Sequence, residues 1–402
     1  MELFWLEHKK LWRKKIVKIC VLLCFVYCVI FGSILSFQWF CFGSSDDYTS
    51  AFGNNFDGYT VIKDSQEYAL SFGGELTDET LQQIVSDYQQ MEADGMEEEL
   101  EKTDWQIVNS WLGTLYPELR DTSNYKTMIS YVDPDKLTGF YERRQQVLDE
   151  FLEVSGQVGA EKEYLHQIEG KVEKPFHYEW VEGWSTLLGS MVADLGVVMA
   201  LFLGIVLSSL FAGEWHDNTS ALVLTTRNGW GKIALAKILT GLAFTVELFA
   251  LLAVSSVISQ LFFMGTAGWD MPIQNIKLIA VAPMNMLQAE IYEYAFVLLG
   301  AIGFAGIVMF ISAAVKNNVL TLLLSLAVVY GPMMIAEYLP YEMQKALDLI
   351  PLVGSSTDIF RTNTFRIFGK LIWSPYLLIT IPVLIGILCM PFAIKSLSLI
   401  HI

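Results

Sequence analysis

Six long apolar stretches separate the polar parts of this 402-residue chain. Each has about the 20 apolar residues that an α-helix needs to cross a bilayer, where every backbone amide must be bonded within its own segment. The stretches cover residues 19–42, 184–211, 238–268, 294–315, 317–336 and 371–394. The pattern predicts an all-α polytopic membrane protein with six transmembrane helices. Because the number of helices is even, both termini are expected on one side.

The first stretch follows a basic start, as a signal peptide would. It is longer than the apolar region of about 7–15 residues in such peptides, and no small-residue cleavage pattern follows it, so we interpret residues 19–42 as a retained helix. Residues 1–18 form an amphipathic pattern, and this segment is expected to lie in the membrane interface. Two interpretations of it remain open and are compatible: a topology signal, or an elbow helix that contacts a cytoplasmic partner. Its apolar stripe consists of Phe4, Trp5, Leu11, Trp12 and Ile16.

Basic residues in the short flanks predict the orientation, since Lys and Arg are enriched in cytoplasmic loops. The first 18 residues contain Lys9, Lys10, Arg13, Lys14, Lys15 and Lys18. Four basic residues between the fifth and sixth stretches argue the other way, namely Lys345, Arg361, Arg366 and Lys370. The N-terminal cluster is expected to dominate. The prediction is a multi-pass protein of a bacterial-type cell membrane, with both termini cytoplasmic and residues 43–185 extracytoplasmic.

The polar region 43–185 has 30 acidic and 10 basic residues, a net charge of −20. Thr77 followed by Asp78 and Glu79 is a helix N-terminus pattern, and we expect a helix from there towards residue 100. A later stripe at helical spacing is interrupted near Gly156 and Gly159, which are expected to divide it into two helices. The stripe consists of Val147, Phe151, Val154, Val158, Leu165, Ile168 and Val172. We predict a mostly helical extracytoplasmic domain with its own small core.

Composition limits the possible functions. The chain is 53% hydrophobic and 17% charged, with a mean hydropathy of +0.42, as expected of a membrane protein. A net charge of −17 argues against a nucleic-acid partner. The five cysteines give neither a disulfide framework nor a Cys-x-x-Cys metal site, and Cys20, Cys24 and Cys28 are expected to pack within a helix. Each Gly-Lys pair precedes Val, Ile or Leu, so no phosphate-binding loop is predicted.

The linker between the second and third stretches is the most informative segment for function. Glu214 and Asp217 precede a short apolar helical run at residues 219–225, and Gly229 and Gly231 break the chain before the next stretch. As a bare pattern this is either a tight loop or a short helix on the membrane surface. A helix held by two spans could transmit a partner's movement to both.

This linker resembles that of the type-2 ATP-binding-cassette exporter permeases, and the resemblance extends over the six spans and the amphipathic tail. The matching residues are Phe211, Gly213, Glu214, Thr219, Leu222, Leu224, Thr225, Thr226, Arg227, Lys232 and Lys237. The large insert between spans one and two occurs in a subset of that family. The resemblance implies a coupling helix at about residues 213–230 that docks on a separate ATPase. The residues expected to contribute are Glu214, Trp215, Thr219, Leu222, Leu224 and Arg227.

The same resemblance implies a non-catalytic permease subunit with no cofactor or metal of its own. ATP and Mg²⁺ would bind the partner ATPase, and a second permease copy or homologue would complete the path. The expected substrate is a peptide, a drug or a lipid-like amphiphile, and the expected partners include membrane lipid and a peptide or envelope protein at the polar domain. Two alternatives remain: an ATPase-coupled envelope sensor or mechanotransmission complex that moves no solute, and a receptor or scaffold without an ATPase.

Two ionisable residues within the spans, Asp194 and Glu247, are functional candidates because charge inside a bilayer is costly. Counted from the predicted cytoplasmic ends, Asp194 lies about 25 Å and Glu247 about 14 Å into the membrane, so they are not expected to pair. For Asp194 a structural role and a functional role both remain open. For Glu247 the alternatives are a position in a cavity or at an interface, or a buried carboxyl group that is neutral. Gly300, Gly303 and Gly306 in the fourth stretch predict close helix packing.

Overall fold

A computed structural model describes residues 2–30, 62–63, 66–67, 73–96, 105–121, 126–216, 229–354 and 362–398. These residues are mostly helical, and five of their helices are long and apolar enough to cross a membrane. The five segments are Asp194–Trp215, Gly231–Met264, Met286–Val315, Asn318–Tyr338 and Ser374–Ser396. The predicted multi-pass character is therefore supported by five of the six expected spans. The remaining expected span is the first in the chain, residues 19–42. Its part from residue 31 onward lies outside the described residues.

The helices are numbered here in chain order. Their bounds are α1 Glu2–Arg13, α2 Lys15–Val29, α3 Asp78–Ala93, α4 Trp105–Leu115, α5 Phe140–Val154, α6 Ala160–Glu169, α7 Glu182–Thr186, α8 Val192–His216, α9 Gly229–Met264, α10 Met286–Val315, α11 Asn318–Ile335, α12 Tyr341–Leu347 and α13 Ser374–Ser398. A π-helical turn, Leu187–Met191, joins α7 to α8. The strands are β1 Gly74–Glu75, β2 His177–Tyr178, β3 Thr364–Ile367 and β4 Lys370–Trp373.

The strands correct the all-α prediction in detail. Strand β1 pairs antiparallel with β2, and β3 pairs antiparallel with β4. Between β3 and β4, Phe368 and Gly369 both have positive φ, 48° and 79°, as in the tight turns that suit hairpins. The predicted sixth span therefore begins too early at residue 371. Its helix starts at Ser374, with Pro375 in the first turn, where a missing N–H costs nothing.

Helix α10 is the centre of the helix bundle and contacts α8, α9, α11 and α13. Its glycines allow a close approach to α13: a methyl group at Gly303 would lie 2.2 Å from the carbonyl oxygen of Pro382, and one at Gly306 would lie 2.4 Å from that of Gly386. Gly300 faces Leu352 instead. The predicted close helix packing is confirmed for Gly303 and Gly306, whereas Gly300 packs against a turn. A side chain at Gly303 or Gly306 would force the two helices apart.

The bundle has two faces, which we name by their contents. The α1 face carries α1, the end of α8, the start of α9 and the connection from α10 to α11. The domain face carries the described parts of residues 73–185 together with residues 265–285, which connect α9 to α10. On the domain face, the Trp180 indole N–H donates to the carbonyl oxygen of Met264 at 3.1 Å, at the end of α9. The polar domain is thereby attached to the end of a membrane helix.

Two predicted features of the polar domain are confirmed. Thr77 is the N-cap of α3, and its hydroxyl oxygen accepts from the backbone N–H of Thr80 at 3.2 Å. The chain breaks between α5 and α6 near Gly156 and Gly159, which have φ of 75° and 60°. Such positive φ values favour glycine and end the helical hydrogen bonding.

The predicted apolar stripe was wrong in its middle part, from Phe151 to Val158, whereas its members Leu165 and Val172 are buried. Val154 is 88% exposed and Val158 57% exposed, whereas the buried face of α5 consists of Phe140, Arg144, Leu148 and Leu152. This face includes a fully buried arginine, so hydrophobic periodicity alone does not identify it. The Arg144 guanidinium donates to Glu169 at 2.6 Å and to the carbonyl oxygen of Leu278 at 2.7 Å. The partners of Arg144 therefore lie outside α5. The hydrophobic pattern of α5 itself does not indicate them.

The segment between α9 and α10 completes the core of the polar domain. Leu278 packs in the same cluster as the buried residues of α3 and α4. The Trp111 indole donates to the carbonyl oxygen of Asn275 at 3.0 Å, and the Asn275 amide donates to that of His177 at 2.7 Å. Residues beyond 185 thus contribute to this domain. The β3–β4 hairpin contributes as well, since Thr364 donates to the Gln157 side chain at 2.8 Å.

The Arg144–Glu169 pair gives a stability prediction. Burial raises the pKa of the Glu169 carboxyl, but hydrogen bonds from Lys174 and Arg144 more than offset this and hold the pKa below its usual value. The stabilising contribution is present above about pH 4.3, the pKa of glutamate in an unfolded chain, and is lost as pH falls through the lower folded-state pKa. Glu169→Gln should destabilise the domain by about 3 kcal/mol at neutral pH, because Arg144 loses its charge partner.

Hydrogen exchange of α5 and α6 in the full-length protein measures this effect. The difference from the wild type should shrink as the pH falls below about 4. Glu150→Gln is the matched control, because Glu150 lies exposed on α5. Equal exchange in Glu169→Gln and Glu150→Gln at neutral pH would contradict the stabilising role of the pair.

Candidate functional site at the N-terminal helix

Helix α1 packs across α9 at the α1 face. Leu11 is 2% exposed, and the Trp12 ring lies 5.8 Å from the ring of Phe244 on α9. Trp5 and Leu6 of the same helix are 62% and 63% exposed. A helix that has exposed apolar side chains together with Lys9, Lys10 and Arg13 suits the boundary between protein, lipid headgroups and water. The predicted helical conformation of the tail is confirmed for α1.

A buried lysine joins three helices at this face. The Lys237 side chain on α9 is 3% exposed. Its Nζ donates to the carbonyl oxygen of Leu210 at 2.8 Å, and it pairs with Glu214 Oε1 at 2.9 Å and with Glu7 Oε2 at 3.2 Å. A buried ammonium group is tolerated only with such partners, because desolvation of an unpaired charge is costly. We call Lys237, Glu7, Glu214 and the Leu210 carbonyl group the Lys237 junction.

Glu214 and Trp215 are the first residues predicted to couple to an ATPase, and both lie in the last turns of α8. The Glu214 carboxylate points into the Lys237 junction, with Lys10 also within 3.8 Å. The Lys316 ammonium lies 4.5 Å from the centre of the Trp215 ring, a cation–π contact that reaches the turn between α10 and α11. The other predicted coupling residues, Thr219, Leu222, Leu224 and Arg227, lie outside the described residues.

Ser312 of α10 ties a fourth helix to the same region. Its hydroxyl donates to the carbonyl oxygen of Ser208 at 2.7 Å and accepts from the backbone N–H groups of Phe211 and Ala212 at 3.2 and 3.1 Å. A side chain inserted into the hydrogen-bond ladder of a helix fixes its local geometry. Nothing in the sequence marked Ser312, because a serine in an apolar run is usually a packing residue.

The intramembrane candidate Glu247 binds α1. The Trp12 indole donates to its Oε2 at 3.0 Å, and His8 Nε2 lies 3.1 Å from its Oε1. The Glu247 side chain is 43% exposed. Its predicted depth was counted from residue 238, whereas α9 begins at Gly229 and crosses α1 near Phe244. Glu247 therefore lies at the level of α1, and it belongs to the interface between α1 and α9.

The other candidate, Asp194, is bound by the second N-terminal helix. It lies exposed in the first turn of α8, and the Tyr27 hydroxyl of α2 is hydrogen bonded to its carboxylate. Asp194 and Glu247 thus interact with different side chains, in accord with the expectation that they do not pair. Both are held by the α1–α2 segment, a relation that spacing along the chain does not reveal.

Sequence reasoning missed two buried carboxyl groups at the start of α10. Glu290 is 3% exposed and interacts with the Tyr294 hydroxyl, whereas Glu293 is fully buried and neither of its oxygens has a hydrogen-bond partner in the described part of the chain. Both residues precede the apolar run that begins at 294, so they were counted as outside the span. The capping box of Asn285 and Gln288 marks the true helix start and could have revealed them. Two adjacent buried carboxyl groups can share a proton or accept a cationic group.

Three cysteines of α2 pack inside the helix bundle. Cys20, Cys24 and Cys28 are buried in the helix-bundle core, and the Cys28 thiol is hydrogen bonded to Ser255 and Ser256 of α9. Among the described residues, no group of three or more His, Cys, Asp or Glu side chains is arranged to hold a metal ion. The arrangement at the α1 face is thus one of charge pairing and helix contact.

Comparison with known proteins finds no matching family model, no matching curated protein and no matching solved structure. The resemblance of residues 211–237 to exporter permeases therefore rests on those residues and on the arrangement of apolar stretches. The ion pairs around Lys237 are a separate observation, because the resemblance is based on residue types and not on contacts.

Removing the central charge of the Lys237 junction tests its importance. Lys237→Met should release α1 from α9, because Glu7 and Glu214 are then left without their shared partner, at a cost of about 3 kcal/mol or more. Hydrogen exchange of residues 2–13 should accelerate at least tenfold. Lys277→Met is the control, because Lys277 is exposed and lies in the segment between α9 and α10 on the domain face. Unchanged protection of α1 in Lys237→Met would argue against the junction as its anchor.

Proposed function

We propose that this chain is the permease subunit of an ATP-binding-cassette transporter. It exports or extrudes a peptide, a drug or a lipid-like amphiphile, using ATP that is hydrolysed with Mg²⁺ in a separate subunit. The observation that carries the proposal is the Lys237 junction. It ties together α1, the end of α8 and the start of α9, and the segment 217–228 between these two ends is the one that resembles a coupling helix.

The contacts around this segment suit the transmission of movement. A displacement of residues 217–228 acts at once on the end of α8 and the start of α9, since the chain is continuous. Lys237 passes it to α1 through Glu7, and Ser312 passes it to α10 through the α8 backbone. Four helices thus respond to one input. Rigid packed helices transmit such displacements because they rearrange between discrete states rather than deform.

The proposal includes an orientation in a bacterial-type cell membrane. The α1 face faces the cytoplasm, which accords with its lysine-rich helix and with Lys232, Lys237 and Lys316. The acidic polar domain faces outward. Nucleotide-binding ATPase subunits dock at the α1 face, and a second copy or homologue of this chain encloses the path. The orientation and the partners both rest on the resemblance to exporter permeases.

A second function is favoured by the attachment of the polar domain. Its core includes Leu278, and Arg144 donates to the carbonyl oxygens of Leu278 and Ala280 between α9 and α10. Movement of α9 therefore reaches the domain directly. In this alternative the complex is an ATPase-coupled envelope sensor or mechanotransmission device that moves no solute. Transport into inverted vesicles separates the two: solute accumulation driven by ATP supports export, and ligand-dependent hydrolysis without accumulation supports the sensor.

The coupling segment gives a testable prediction about the partner. The double variant Leu222→Asp and Leu224→Asp should reduce co-purification of a P-loop ATPase at least tenfold, because charge replaces the apolar contact surface expected there. Phe368→Asp is the matched control: Phe368 is fully exposed, but it lies in the hairpin on the domain face. Recovery of the ATPase in equal yield with the double variant would contradict the proposed docking site.

The orientation can be tested independently of any partner. In intact cells, an impermeant maleimide should label Phe368→Cys but not Thr226→Cys, and after permeabilisation it should label both. The native cysteines are replaced by serine or alanine in both variants. Labelling of Thr226→Cys before permeabilisation would place the segment outside the cell and overturn the proposed coupling role.

A further inference from the structure

An apolar groove of about 830 Å³ lies between the start of α1 and the first half of α9. Of its ten lining residues, eight are apolar and two, Glu2 and Lys232, are charged. The lining residues of α9 run from Lys232 to Val246, which is about 21 Å at 1.5 Å per residue. Neither the ion pairs of the Lys237 junction nor the proposed ATPase docking makes use of this groove.

The groove is formed by two helices. On α9, the small residues Ala236 and Ala243 lie seven positions apart on one face, and α1 contributes Leu3 and Phe4. A hydrocarbon chain in the groove therefore contacts side chains of both helices, whereas a chain on the surface of a single helix contacts only one. Inside a bilayer, lipid tails are as apolar as the protein surface, so additional van der Waals contacts determine whether a chain is retained.

The open side of the groove lies at the level of the membrane. Its α9 residues from 232 onward belong to the candidate span Gly231–Met264. Leu235, Leu239 and Val246 are 51%, 44% and 44% exposed, so the protein leaves this stripe partly uncovered. Since α1 suits the headgroup boundary, the groove extends from that boundary into hydrocarbon. Its length is enough for an acyl chain to run through one leaflet, which has about 15 Å of hydrocarbon.

The shape and lining of the groove argue against a polypeptide as its occupant. A helix of this length and about 10 Å in diameter has about twice the volume of the groove. An extended segment would fit, but it would have to bury backbone amide and carbonyl groups against a lining whose side chains are apolar except for Glu2 and Lys232. Unpaired backbone groups in hydrocarbon are costly. A hydrocarbon chain has no such groups to satisfy.

We propose that this groove is a binding site for one membrane glycerophospholipid, whose acyl chain lies between α1 and α9 and whose headgroup lies at the level of α1. The bound lipid contacts both helices, so it stabilises their packing beside the Lys237 junction. This inference goes beyond the proposed transport function and does not depend on it. The site exists whether or not the membrane helices move a solute.

Native mass spectrometry of the full-length protein in detergent tests the proposal with phosphatidylcholine as the probe. We expect one retained phosphatidylcholine per chain. Ala243→Trp should reduce this retention at least fivefold, because the indole ring fills the groove, whereas the control Ala250→Trp changes an exposed residue of α9 outside it. Absence of retained lipid in the wild type overturns the proposal, as does equal retention in Ala243→Trp. A dimer that Ala243→Trp abolishes would show that a second copy, and not a lipid, occupies the groove.

Crosslinking locates the retained lipid in the wild-type protein and so does not depend on any variant. A phosphatidylcholine with a diazirine group in its acyl chain is bound in detergent, the excess is removed, and the sample is irradiated. Adducts should form within residues 235–246 or at Leu3 and Phe4. Val254, Ile258 and Phe262 are the internal control, because they form another exposed apolar stripe on the same helix. Adducts at these three residues in equal or greater yield would contradict the site.

Discussion

The buried ammonium group of Lys237 is the constraint on which the membrane part of the structure depends. A cation that is 3% exposed has to be surrounded by acceptors, and here three acceptors come from two neighbouring helices: Glu7 of α1 and, from α8, Glu214 and the Leu210 carbonyl group. The positions of α1 and α8 relative to α9 are therefore fixed by electrostatics as well as by apolar packing. Two of these contacts, those with Glu214 and the Leu210 carbonyl group, fix the end of α8 against the first turns of α9.

The polar domain is also held together by a buried cation, Arg144. This fully buried guanidinium is paired with Glu169 and donates to carbonyl oxygens of the segment between α9 and α10. An arginine suits the position because its several donors satisfy partners from separate parts of the chain. One buried cation thus anchors each face of the protein. Both depend on acceptors that are far away in sequence, and removal of either leaves charges that water cannot reach.

Five of the six apolar spans could be predicted, with ends that differ from the structure by up to 10 residues, because backbone satisfaction in a membrane is a local requirement, met within each helix. The helix start at Thr77 and the break at Gly156 were likewise local. What could not be predicted depended on distant contacts: Arg144 in a buried face, Glu247 against α1, and the buried Glu290 and Glu293. In each case a charged residue occupies a position where its sequence neighbours favour a different environment. The environment of each of these charged residues depends on side chains that are distant in sequence.

Helix α9 relates the two faces to one another. Its 36 residues extend over about 54 Å at 1.5 Å per residue, well beyond the roughly 30 Å of a hydrocarbon core. Lys237 lies near one end, and at the other end the Met264 carbonyl oxygen accepts from Trp180 of the polar domain. One continuous helix therefore carries both the Lys237 junction and the attachment point of the polar domain. Under the proposed function, α9 is the element that would link an event at one face to the other.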